Sequence, residues 1–275
     1  MEGPVKIGRA VLICHDSEPL NRFGLTRWMA SFLDLAAIIE IHEPHGRLRK
    51  RIWREFKRVG FWRFMDVLAF RLYSRWMLRS LDRQFEEQLL RSLETRYPDL
   101  PPDTPILTTP SPNSAEAEQL MREVKPDIIL ARCKSILNAR IFKQATAGTF
   151  VMHPGICPQY RNAHGCFWAM AQRDMENVGM TLLKIDEGVD TGPVYGYYRT
   201  NFEELTQTHN MVQNLVVFDN LDMLRAKLEE IVAGTASAID TRGRPSRAWG
   251  QPWLTSYLRW KFAARAAKRA ELLKG

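Results

Sequence analysis

Apolar residues in this chain gather in short runs bounded by turn formers, and the longer stretches between those runs carry helical spacing. Ala10 to Cys14, Ala37 to Ile41, Pro105 to Thr108, Ile128 to Leu130 and Thr149 to Met152 read as buried strands, and Gly179 to Asp186 as another. A helix is expected near Leu25 to Leu35. Thr208 to Val232 has the spacing of one amphipathic helix closed by Gly234, and Leu254 to Leu273 that of a last, basic helix. Strands alternating with helices imply the α/β class, with a doubly wound, mainly parallel, Rossmann-like sheet. No G-x-G-x-x-G follows the first strand, so the glycine pattern gives no support to a dinucleotide site.

Between the second and third strands the chain is much longer than a minimal crossover. Residues 46 to 97 read as a helical insertion, with Arg71, Arg75 and Arg79 four residues apart. Phe61, Trp62, Phe64, Met65, Leu68, Phe70, Leu72, Trp76 and Met77 cover most of the remaining helix surface. Such a helix is buried nearly all round or meets something apolar. It packs on the sheet or on a second subunit with its arginines reaching to water, or it lies against anionic lipid. The domain expected is residues 1 to 235 with this insertion, followed by an extension over 236 to 275 that carries the basic helix.

At 275 residues and 45% hydrophobic, the chain can bury a full core. No run of about 20 apolar residues is free of charge, and the N-terminus lacks a signal-peptide pattern, so a cytoplasmic protein is expected, peripheral to the membrane if the insertion meets lipid. The formal charge of +8 is concentrated in the insertion and the tail and attracts acidic substrates or surfaces. Cys14, Cys133, Cys157 and Cys166 stand singly and read as small buried hydrophobes. Pro44 blocks the helix that would align His42 and His45 on a metal, so that segment reads as a surface loop, and no metal site is expected.

The chemistry concentrates in two segments. His153 precedes Pro154, and an X-Pro step ends a strand abruptly, so His153 is expected to project from a strand's carboxyl end, where open α/β sheets keep their ligands. Asp190 lies in a loop after the next strand, flanked by Gly188 and Gly192. An imidazole and a carboxylate on neighbouring strand ends suit proton transfer near neutrality.

His153-Pro154-Gly155, Pro158-Gln159-Tyr160-Arg161, Trp168, Gly179 to Leu182 and Asp190 to Pro193 follow one another in an order that resembles the folate-dependent formyltransferase family. Members of that family share Asn-x-His-Pro/Gly-Ser, then Leu-Pro-x-Tyr/Trp-Arg-Gly, then Asp-x-Gly. The resemblance covers roughly residues 103 to 233. It implies a catalytic His153 and Asp190, with 10-formyltetrahydrofolate as co-substrate. It also implies backbone contacts to the pterin from Ser135 and Leu137 on one loop and from Ile185, Asp186, Glu187 and Val189 on the other. Tyr160, Arg161 and His164 are candidate substrate contacts, the first two shaping the loop after His153 rather than reacting. The family's asparagine, whose amide donates to the formyl oxygen, corresponds to Val151, and losing one such donor typically costs about 10²–10³ in turnover. Lys134, Asn162 and His164 are the polar residues close by in sequence.

Two function classes follow. One is an enzyme that moves a formyl group to an amine of a small-molecule, sugar or lipid-linked acceptor. The other is a folate-binding scaffold that has lost turnover, with a hydrolase or acyltransferase of altered chemistry beside it. The partners expected are the amine substrate and, through the basic aromatic helices, a homodimer or a membrane surface. Nucleic acid is the weakest candidate, because residues 236 to 275 are too few for the RNA-binding domain of the translation-associated members.

Overall fold

The computed structural model describes residues 6–43, 53 and 55–273. A seven-stranded sheet organises the chain, built from β1 (Arg9–His15), β2 (Asp34–Ile41), β3 (Ile106–Thr109), β4 (Ile128–Arg132), β5 (Gly148–His153), β7 (Met180–Lys184) and β8 (Val194–Tyr198). Their order is β3-β2-β1-β4-β5-β7-β8. The first four pairings from the β3 edge are parallel, and those of β7 with β5 and β8 are antiparallel. The expected mainly parallel α/β sheet is therefore present, with an antiparallel edge. A separate two-stranded sheet joins β6 (Arg161–Asn162) to β9 (Ala248–Trp249).

Alternation along each strand feeds a core on either face. In β1, Ala10, Leu12 and Cys14 join a large cluster holding Trp28, Phe167, Trp168 and Trp260, while Val11 and Ile13 face a smaller one with Met121, Leu137 and Ile141. Helix α1 (Thr26–Phe32), entered through a wide π turn at Leu20–Leu25, covers the first face. Helices α4 (Ala115–Val124) and α5 (Ala139–Phe142) cover the second.

The insertion forms α2 (Phe61–Tyr73), a π turn at Ser74–Leu78 and α3 (Arg79–Arg96). Pro44, His45 and most of residues 46 to 54 lie outside the described residues. The burial expected of the insertion is confined to one side: Val67, Phe70, Leu78 and Leu93 are buried. Phe61, Trp62, Met65, Leu68, Leu72 and Trp76 are exposed, Trp62 to 83% and Trp76 to 81%. The last helix, α9 (Leu254–Leu272), packs directly on α2. The Asp66 carboxylate accepts from the Thr255 amide at 3.0 Å, Arg63 lies 3.8 Å over the Trp253 ring, and Phe70 meets Tyr257.

The single helix expected over Thr208 to Val232 is two, α7 (His209–Phe218) and α8 (Leu221–Val232). Asn220 breaks it, its side-chain amide donating to the carbonyls of Val216 and Arg199 at 3.0 Å each. Both pieces bury apolar faces in the same core, which is why the sequence reads as continuous. α6 (Gly165–Ala171) is buried along its whole length. All four cysteines are free, and Cys133 alone is only partly buried. Among the described residues no helix is long and apolar enough to cross a membrane, and no cluster of His, Cys, Asp or Glu suits a metal ion.

Candidate active site

β5 ends at His153 because Pro154 cannot continue the ladder. Phe150 and Met152 point into the large core, which turns Val151 and His153 to the other face. His153 is buried, with Nε2 2.8 Å from the Tyr160 carbonyl oxygen and Nδ1 3.5 Å from Asp190 Oδ2. A carbonyl can only accept, so the hydrogen bond fixes the tautomer with the proton on Nε2. Nδ1, facing the carboxylate, is left as the ring position that can take up and release a proton.

Asp190 is placed by a left-handed backbone (φ 51°), and its Oδ2 also accepts from the Asn162 amide at 2.8 Å. Asn162 is itself left-handed (φ 74°), a conformation asparagine tolerates better than most residues, and stands where the motif quoted above has glycine. Its side chain donates to the Trp249 carbonyl at 2.5 Å. Arg161 donates to the Val189 carbonyl at 2.8 Å and to Ser246 Oγ at 3.0 Å, tying the His153 loop to the Asp190 loop and the tail. Tyr160 is buried and stacked on Trp249, and its hydroxyl donates to Asp174 at 2.8 Å. Burial, with Asp174 beside it, pushes the phenol's pKa up. Tyr160 and Arg161 are thus committed to holding the loop.

Close backbone packing completes that loop. A Cβ on Gly165 would fall 2.5 Å from the Gly155 Cα and 2.8 Å from the Pro154 carbonyl oxygen. Thr181 Oγ1 donates to the Gly155 carbonyl at 2.7 Å and accepts from the Cys157 amide at 2.9 Å, so β7 supports the loop from below.

The two loops expected to hold a pterin each send an aliphatic residue to one hydrophobic cluster. Leu137 is buried in the same cluster on which Ile185 packs. On the same two loops Ile136 and Val189 are exposed to water. Asn113 braces the first loop by donating to the Ile136 carbonyl and accepting from the Asn138 amide, both at 2.8 Å. In the second loop Asp186 Oδ1 accepts from the Gly188 amide and the Thr191 hydroxyl. Glu187 reaches Lys143 at 3.5 Å, and the Ser135 carbonyl accepts from the Cys133 thiol.

Val151 is partly buried and packs against a small cluster of Cys157, Leu183 and Val194. Lys134 is held by Glu18 at 2.8 Å, Asn162 by Trp249, and His164 opens onto a different cavity. A polar group that sequence reasoning passed over lies behind His153. Arg132 donates from Nη1 to the Met152 carbonyl at 2.7 Å and from Nε to Asn21 at 3.3 Å, and burial lowers the guanidinium's pKa from its ordinary value. His15 Nε2 accepts from the Lys134 amide at 3.1 Å, extending the cluster. An arginine at the end of an otherwise apolar strand was the one signal in the sequence that could have pointed to it.

The cavity on which His164 opens measures about 950 Å³ and lies between α2, α3, the loop after β1 and the N-terminal end of α6. His164 (φ 57°) and His209 line it, each with its Nδ1 enclosed and without a hydrogen-bond partner among the described residues. Burial pushes the His164 imidazole down to about 4, helped by Lys134 and Arg71, and holds that of His209 well below its ordinary value.

Residues 86–225, half of the chain and the part that contains both loops of the site, match the model of the formyl transferase family. The chain belongs to the formyl transferase family. It is 30% identical over 137 residues to a methionyl-tRNA formyltransferase of Chlorobium limicola, covering 50% of this chain and 38% of that protein. It is 28% identical over 126 residues to a GDP-perosamine N-formyltransferase of Brucella melitensis, covering 46% of each. These alignments span less than half the length of the relatives. The fold is similar to that of a sugar N-formyltransferase from Shewanella sp FDAARGOS_354, with a TM-score of 0.53 at 14% identity over 88% of this chain and 76% of the other. Most of the insertion and the whole of the tail lie outside the family match.

Proposed function

We propose that this formyl transferase family member moves a formyl group from 10-formyltetrahydrofolate to an amine on a small-molecule, sugar or lipid-linked acceptor. The observation that carries this is the His153–Asp190 pair, with a tautomer-fixed imidazole whose free nitrogen faces a carboxylate at 3.5 Å. The exposed aliphatic residues Ile136 and Val189, on the two loops beside the pair, suit a flat heterocycle. Bound there, the donor would supply the formyl carbon and leave with its own nitrogen protonated. His153 Nδ1 takes the proton from the attacking amine and returns it to the departing nitrogen, while Asp190 stabilises the ring in its charged form. Tyr160 and Arg161 hold both groups in place. The test is transfer to a panel of amines with formyl-folate as donor, alongside calorimetric titration of folate. A folded protein that gives no binding heat at millimolar folate would remove the donor assignment.

Val151, which has no side-chain donor and packs on a hydrophobic cluster, favours a second reading, a folate-binding scaffold without turnover. Activity that is absent in the native chain and present in Val151→Asn would select it.

The exposed stripe on α2 supports peripheral contact with anionic lipid over a homodimer. Arg71, Arg75 and Arg79 run beside it, and a second copy of the same cationic face would be repelled.

A further inference from the structure

Four arginines line the insertion cavity: Arg71 on α2, Arg75 in the π turn, and Arg79 and Arg83 on α3. In a plain α-helix, residues four apart drift about 40° round the axis, and the wider π turn reduces that drift, keeping Arg71, Arg75 and Arg79 close to one line. Like charges at this spacing repel one another. Yet among the described residues none of the four guanidiniums reaches a carboxylate within 4.0 Å, whereas Arg58, Arg96 and Arg173 each do. The acids on the same wall are Asp82, Glu86 and Glu87. Asp82 is hydrogen-bonded by Thr208 and Asn210, and burial, with Asp82 nearby, raises the Glu86 pKa against the opposing pull of Arg83. At the inner end stand His164 and His209, whose buried Nδ1 atoms have no hydrogen-bond partner among the described residues. The backbone next to His164 is shared with the site: Gly165 packs on Gly155, and a Cβ on Gly155 would lie 2.9 Å from His153 Nε2.

We infer that this cavity binds the phosphate or diphosphate group of the acceptor. Arg71, Arg75, Arg79 and Arg83 hold the anion, and His164 and His209 hydrogen-bond the part of the molecule that reaches the inner end of the cavity. This rests on the formyl-transfer reading for the word acceptor; the anion site itself does not. Unpaired guanidiniums take phosphate oxygens through charge-assisted hydrogen bonds, which relieves their mutual repulsion. Neutral imidazoles at the inner end can recognise hydroxyls without adding charge.

The experiment is calorimetric titration of the full chain with inorganic pyrophosphate, with no folate present and against sodium chloride at matched ionic strength. Saturable binding is expected in the native chain, weakened about tenfold or more in Arg75→Gln/Arg79→Gln, since each lost contact is a hydrogen bond to a charged group. Both side chains are exposed, so the variant should fold, which circular dichroism verifies, and Arg83→Gln serves as the independent second variant. His153→Ala should lose formyl transfer and keep pyrophosphate binding. Competition by vesicles bearing phosphatidic acid would identify a lipid-borne phosphate, and no competition a soluble one; both support the site. Equal affinity in native and arginine-substituted chains, binding no stronger than chloride, or loss of binding in His153→Ala would overturn it. Absence of formyl transfer with pyrophosphate binding intact would count against the catalytic reading alone.

Discussion

At the scale of single residues, the site depends on a few atoms whose roles can be separated. Asp190→Asn keeps an oxygen that can accept from the Asn162 amide but removes the charge facing His153. Turnover should fall about 10²–10⁴-fold while the melting temperature moves by a few degrees at most. Equal loss of both would make Asp190 a turn residue. Val151→Asn places an amide among Cys157, Leu183 and Val194. If a formyl oxygen comes to lie beside it, the rate on formyl-folate should rise. If nothing does, the unpaired amide should cost about 1–3 kcal/mol in urea unfolding with no gain in rate. The two cavity histidines give a pH signature. The unfolded chain takes up their protons near pH 6.5, but the folded chain resists, His164 down to about 4. Stability should therefore be full above pH 6.5 and decline as pH falls from there toward 4. His209→Leu should flatten that decline by about one proton's worth of slope, measured as urea midpoints between pH 7.5 and 5. His153 and Asp190 could be read from the sequence because their motif neighbours are local. The partners of Arg132 and His209 could not, since they come from residues such as Asn21 and Tyr257 that only folding brings near.

At the scale of elements, the loop after β5 and the start of α6 behave as one piece. Gly165→Ala would drive a methyl into the Gly155 Cα and the Pro154 carbonyl oxygen, so a loss of roughly 1–3 kcal/mol is expected, together with displacement of His153. Urea unfolding and activity should fall together, unlike the Asp190→Asn result. The α2–π–α3 unit is the other element with its own signature. Replacing Trp62 and Trp76 with serine removes two of its most exposed aromatic rings without touching the core. Flotation with anionic vesicles should drop in that variant and in high salt, which screens exposed charge beyond about 3 Å at 1 M. Unchanged flotation, or a stable dimer that ignores vesicles, would assign the stripe elsewhere. Helical periodicity in the insertion was visible in the sequence. Which side of it is buried was not, because Phe70 finds Phe167, His209 and Tyr257 only through α6, α7 and α9.

For the whole molecule, the sequence by itself determined the α/β class, a mainly parallel sheet, the strand that delivers His153 and the loop that delivers Asp190. Each of these rests on information carried within a few residues: apolar runs of strand length, an X-Pro stop, and glycines flanking an acidic turn. Tertiary structure alone decided the antiparallel edge at β7 and β8, the break between α7 and α8 at Asn220, and the 3.5 Å approach of two side chains 37 residues apart in the chain. It alone also made a cavity from the insertion, the β1 loop and the helix after His153, and gathered four guanidiniums there, none of them within 4.0 Å of a carboxylate among the described residues. Spacing along the chain reports which residues share a face, but burial, pairing and enclosure depend on what packs against that face. Those contacts join segments that no local pattern links.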